Sequence, residues 1–168
     1  MKFMENNQQT IKSYFKMLSI IHLFLVLGIV LFGLVVIFII TDFQHQDNDS
    51  DLAKLFAYLV PGMIIAGIVA GILISTFKLN ALKEISDLNV KLKGYSEVLI
   101  IRYMLIEFPS LFALVVVFMT SNMIYLVYAG LLVVLLIIKR PTKKLAIADL
   151  KPDQKEISFL EDPNSIII

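Results

Sequence analysis

VLIIRYMLIEFPSLFALVVVFMTSNMIYLVYAGLLVVLLII, residues 98–138, is apolar almost without a break over 41 positions. As one straight helix it would measure about 61 Å, at a rise of ~1.5 Å per residue. That is about twice the ~30 Å hydrocarbon thickness of a bilayer. The run must therefore fold back on itself. Thr120, Ser121 and Asn122 lie near its midpoint and supply turn chemistry. The stretch reads as two membrane spans, 98–119 and 123–138, joined by a tight hairpin.

Upstream, residues 17–40 and 55–77 are also long enough, since a helix needs about 20 apolar residues to cross. The fold class read from these runs is all-α: a polytopic membrane protein with a four-transmembrane-helix bundle. Composition agrees. The chain is 58% hydrophobic and 17% charged, against about 45–50% and 25% in a soluble domain. The 24 residues of 17–40 exceed the ~7–15 of a signal-peptide apolar core. They end in Thr41-Asp42-Phe43, without a small-residue cleavage site, so they read as an uncleaved first span.

Lysine and arginine set the orientation. Lys2, Lys12 and Lys16 precede the first span. Lys78, Lys83, Lys91 and Lys93 lie between the second and third. Lys139, Arg140, Lys143, Lys144, Lys151 and Lys155 follow the fourth. The other side has only Lys54, beside Asp42, Asp47, Asp49 and Asp51. Basic residues stay on the cytoplasmic side, so both termini are expected in the cytoplasm. This divides the chain into an N-terminal tail (1–16), a transmembrane domain (17–138) and a C-terminal tail (139–168).

The polar segments are expected to be connectors. Residues 43–51 form an acidic outer loop in which Asp51, Asp49 or Ser50 caps the second helix. His45 and Asp47 could meet a cation there. Metal sites need several convergent ligands, so a solvated turn is the reading and no metal is expected. In 78–94, Leu79, Leu82, Ile85, Leu88 and Leu92 recur at helical spacing. The second span is expected to run on as a cytoplasmic amphipathic helix that Gly94 stops. Arg140-Pro141 breaks the fourth span. Lys139, Arg140, Lys143 and Lys144 then suit anionic lipid headgroups. Pro152 is expected in the first turn of a short helix ended by Glu161-Asp162-Pro163, and the Ile166-Ile167-Ile168 run to tuck against something.

Several function classes drop out. The formal net charge of +1 argues against nucleic acid. The absence of cysteine excludes disulfides, thiolate nucleophiles and Cys-based metal sites. No phosphate-binding or dinucleotide glycine loop is present, and His22 and His45 fall on opposite sides of the membrane. A structural or accessory, non-enzymatic role without a cofactor is the expectation. Its rival is proton or cation translocation through an intramembrane carboxylate.

Two intramembrane features motivate that contrast. Gly67, Gly71 and Ser75 form one small-residue ridge of the second span, and Gly62, Ala66 and Ala70 the next. Such ridges let helices approach closely, inside the bundle or against a homo-oligomer or membrane-protein partner. The second feature is Glu107, about 15 Å deeper than Glu97 at ~1.5 Å per residue. A charge near the midplane is costly and usually faces the bundle interior. The reading is a neutral carboxyl in a structural network with Tyr103 and His22. Ser110 shares its face, and Pro109 frees the Leu105 carbonyl beside it. Arg102, about 140° round the helix from Glu107, is expected to snorkel to headgroups.

Residues 104–115, MLIEFPSLFALV, resemble the ion-binding helix of the rotary ATP synthase proteolipid, the c subunit, in which a carboxylate carries a proton or sodium ion. The resemblance puts that role on Glu107; here Phe108 stands where the family has glycine, and the dense glycine ridge is absent. Ile21-His22, Arg102-Tyr103-x-Leu105-x-Glu107 and Arg140-Pro141 together resemble small four-span bacterial membrane proteins, which implies architecture and no mechanism.

Overall fold

The computed structural model describes residues 9–42 and 50–167. Among them are six helices and one short ribbon: β1 (Gln9–Thr10), α1 (Ile11–Asp42), α2 (Ser50–Lys83), α3 (Leu88–Thr120), α4 (Ile124–Ile138), α5 (Lys143–Leu150), α6 (Gln154–Glu161) and β2 (Ile166–Ile167). Most of the 43–51 loop, with His45, Asp47 and Asp49, lies outside the described residues, as do residues 1–8 and Ile168.

Three helices, α1, α2 and α3, are long and apolar enough to cross a membrane. A fourth candidate exists only if α4 and α5, bent by 84° at their junction, count as one broken span. α4 alone has 15 residues, or about 22 Å at ~1.5 Å per residue. Along α1, Ile11, Phe15, Leu18, His22, Ile29 and Val36 form a buried stripe. Phe24, Leu31 and Phe38 point outward and stay exposed. A helix apolar on every face belongs in lipid or in a large core, and a chain of 168 residues has no core of that size.

α3 is the central post, with α1, α2 and α4 all packed on it. Its buried residues run from Lys91 to Val117. The α3–α4 hairpin falls at the expected turn: Ser121 takes the left-handed conformation at φ 55°, and its N–H returns to the Val117 carbonyl. The connection between α2 and α3 differs from expectation. Segment 78–94 is not one amphipathic helix. α2 ends at Lys83, and α3 starts at Leu88 under an Asp87 cap whose carboxyl accepts from the Asn89 N–H at 2.8 Å. The apolar spacing that suggested a single helix serves both arms of a hairpin. Gly94 is therefore no stop; it lies inside α3, where a Cβ would strike the Leu82 side chain. α2 likewise begins at Ser50, which puts Asp51 inside the first turn, 3.4 Å from Lys54.

Residues 139–167 fold back onto the end of the bundle. Thr142 caps α5 through the Leu145 N–H at 3.2 Å. Asp153, one residue beyond Pro152, caps α6 in a reciprocal box with Glu156, so Pro152 precedes the helix and does not sit in its first turn. α5 packs on α2 and α3, and α6 on α5. Ile166 and Ile167 pair antiparallel with Thr10 and Gln9. The first N–H groups of α1 reach the same segment: Ile11 to the Ser165 carbonyl at 3.0 Å and Lys12 to that of Pro163 at 3.2 Å. Both described ends of the chain thus lie at one end of the bundle.

Candidate functional site

Polar side chains gather at that end. Pro141 has no N–H, so the last turn of α4 tightens: Arg140 N–H bonds the Ile137 carbonyl at 3.4 Å. This leaves the Leu136 and Lys139 carbonyls without their regular helical partners. Two side chains supply donors. His22 Nε2, from α1, lies 2.9 Å from the Leu136 carbonyl, and the Tyr103 hydroxyl, from α3, donates to the Lys139 carbonyl at 3.0 Å. The two rings meet edge to face, with centroids 4.8 Å apart. His22 and Tyr103 are therefore brought together as expected, but to close the end of α4. Glu107 has no bond to either among the described residues. Phenylalanine at 103 keeps the ring and removes the hydroxyl. It should lower stability by about 1–2 kcal/mol, the scale of an intramembrane hydrogen bond, as read by denaturation in mixed micelles.

Arg102 does not snorkel. Its guanidinium donates to Asp149 of α5 at 3.2 Å and to Ser75 Oγ of α2 at 3.2 Å. The Tyr95 hydroxyl also reaches Asp149, at 3.4 Å. Ser75, Arg102 and Asp149 border a cavity of about 290 Å³ between α2, α3, α4 and α5, with Thr76 and Lys139 on its wall. A second ion pair, Lys91 with Glu156 of α6, measures 2.7 Å with both side chains largely buried. The Tyr14 hydroxyl closes the set by donating to the Leu92 carbonyl at 2.6 Å. Sequence reasoning missed Asp149, Lys91 and Glu156. Lys91 could have been noticed, because it lies one turn before Tyr95 on the apolar stripe of its helix.

The remaining candidate residues fall elsewhere. Lys139, Arg140, Lys143 and Lys144 lie at the α4–α5 elbow, where the last three border a shallow hollow and Lys143 Nζ donates to the Glu161 carbonyl. Ser110 donates to the Ala129 carbonyl of α4 at 3.4 Å, turned away from Glu107. Gly67 and Gly71 face α3: a Cβ on Gly67 would strike the Leu105 carbonyl and approach Pro109 at 2.9 Å. The carbonyl that Pro109 frees is thus covered by Gly67 and not by the Glu107 carboxyl. Gly62 and Ala66 are exposed, and a Cβ on Gly62 would meet nothing within 4 Å, so the second ridge is not an internal packing face.

Glu107 is half-buried and opens into an outward groove of about 700 Å³ between α2 and α3. Ala66 and Ala70 line one wall, Met104 and Phe108 the other. Among the described residues, nothing donates a hydrogen bond to its carboxyl, and no three His, Asp or Glu side chains converge as a metal site. Because the described residues give this carboxyl no partner, Glu107→Leu should leave the isolated protein within about 0.5 kcal/mol of wild type. A loss of 1–2 kcal/mol in micelle denaturation would instead restore the buried network read from the sequence. Comparison with known proteins returns no match: no family model, no curated protein and no solved structure.

Proposed function

We propose that this chain is a non-enzymatic accessory protein of a bacterial inner membrane, crossing it four times with both termini in the cytoplasm. One observation carries the non-enzymatic part. The buried polar side chains at the crowded end bind the chain's own elements: His22 and Tyr103 close α4, Arg102 holds Asp149, and Lys91 holds Glu156. Arg102 and Asp149 border the 290 Å³ cavity, yet they and His22 are already spent on partners within the chain, whereas catalysis requires an acid, base or nucleophile poised toward a substrate. The orientation rests on the lysine asymmetry of the connections. An even number of crossings accords with residues 9 and 167 being paired at one end. In this placement the short α4 is extended by Lys139 and Arg140 reaching into headgroups, and the basic elbow 139–144 rests against anionic lipid.

Translocation of a proton or cation at Glu107 draws less support, because cation sites gather several ligands and no group of three His, Asp or Glu side chains converges among the described residues. The topology is tested with single cysteines at Ser50 and Lys143, which stand alone in a cysteine-free chain. A membrane-impermeant maleimide added to intact cells should label position 50 and leave position 143 unlabelled until the membrane is opened. Labelling of both from outside would overturn the four-span arrangement.

A further inference from the structure

We infer that the groove holding Glu107 is the docking site for a transmembrane helix of another protein, one that carries a basic side chain at the depth of Glu107. The inference rests on the membrane placement proposed above. Glu107 lies about 20 Å from the Thr120 end of α3 at ~1.5 Å per residue, well inside the hydrocarbon. Intramembrane acids normally face the bundle interior and pair there. This one faces outward, flanked by Met104 and Phe108, which are 57% and 65% exposed. Its carboxyl takes no hydrogen bond from the described residues, which leaves it open to a partner from outside the bundle.

Chemistry narrows the occupant. A phospholipid carries its polar groups at the membrane surface and presents only methylenes at this depth, so it would leave the carboxyl unsatisfied. A second copy of the chain fares little better. Arg102 is committed to Asp149 and Ser75, and His22 to the Leu136 carbonyl. The other described Lys and Arg residues lie near the helix ends or in the C-terminal segment. A two-fold pair would set one Glu107 against the other, carboxyl against carboxyl. A foreign helix with a lysine or arginine at mid-span supplies both a donor and an opposite charge. The groove suits a helix in shape as well: Ala66 and Ala70 let a backbone approach α2 closely, while Met104 and Phe108 wall the other side.

A designed probe tests this. The full chain, carrying one dye on Lys155→Cys, is reconstituted in phosphatidylcholine vesicles. It is mixed with an acceptor-labelled polyleucine transmembrane peptide bearing a single central lysine, or with its all-leucine twin. Energy transfer should show roughly tenfold tighter association for the lysine peptide, the order that intramembrane polar contacts deliver. Glu107→Gln should abolish that preference, and Glu107→Lys should transfer it to a peptide with a central glutamate. The charge reversal gives a gain of binding, which a misfolded variant could not. Equal binding of the two peptides, or a preference that survives Glu107→Gln, would overturn the inference. So would Glu107-dependent self-association that excludes the lysine peptide, because the occupant would then be a second copy. Failure of the maleimide test, with peptide discrimination intact, would count against the four-span placement and leave the groove.

Discussion

Lys91→Met should destabilise the protein by about 3–5 kcal/mol, the cost of leaving a buried charge without its counterion. The ammonium lies 2.7 Å from Glu156 Oε1, with the two side chains only 8% and 13% exposed. The same Glu156 carboxylate receives the Asp153 N–H at 3.0 Å and so also holds the start of α6. Loss of Lys91 therefore strands a carboxylate that cannot leave without dismantling a cap. Adding Glu156→Gln should recover much of the loss, because the amide still accepts from Asp153 and carries no charge. The four proteins of this cycle, compared by denaturation in mixed micelles, separate the coupling from lost packing. A Lys91→Met protein as stable as wild type would mean that α6 is held by its apolar contacts alone.

The second large effect is expected at Gly67. A side chain there meets the Leu105 backbone carbonyl and the Pro109 ring, neither of which can rotate away. Gly67→Ile should cost about 1–3 kcal/mol or more by overpacking. Gly71 has only ordinary contacts, the nearest being Leu105 Cβ at 3.8 Å, so Gly71→Ala should be tolerated. Gly62→Ala meets nothing and serves as the silent control. Melting temperatures in detergent should fall in that order. Equal melting of all three would show that α2 and α3 do not approach as closely as the structure has them.

Long apolar runs declare themselves, so α1 to α4 and the turn at Ser121 were legible from residue types alone. Gly67 and Gly71 were legible too, because a small-residue ridge has one main use. The direction in which Glu107 points was not. Sequence places it on a face of its helix, but which neighbour covers that face depends on how α2 and α4 are arranged around α3. The C-terminal fold was hidden for a similar reason. Asp149 and Glu156 look like solvated tail residues until α5 and α6 fold back and bring them to Arg102 and Lys91. Gly94 misled because glycine marks helix ends and close approaches alike.

The start of α1 is finished by residues made long after it. Its first three amide donors find acceptors on Ser165, Pro163 and the Thr10 hydroxyl. During synthesis the first two acceptors leave the ribosome only after every apolar helix has emerged. Until then the head of α1 has water or nothing as its partner. Residues 163–165 thus act as a latch on the head of α1. A protein truncated before residue 163 would carry all of its membrane helices with the first one still open, a difference that hydrogen exchange at Ile11 and Lys12 would register.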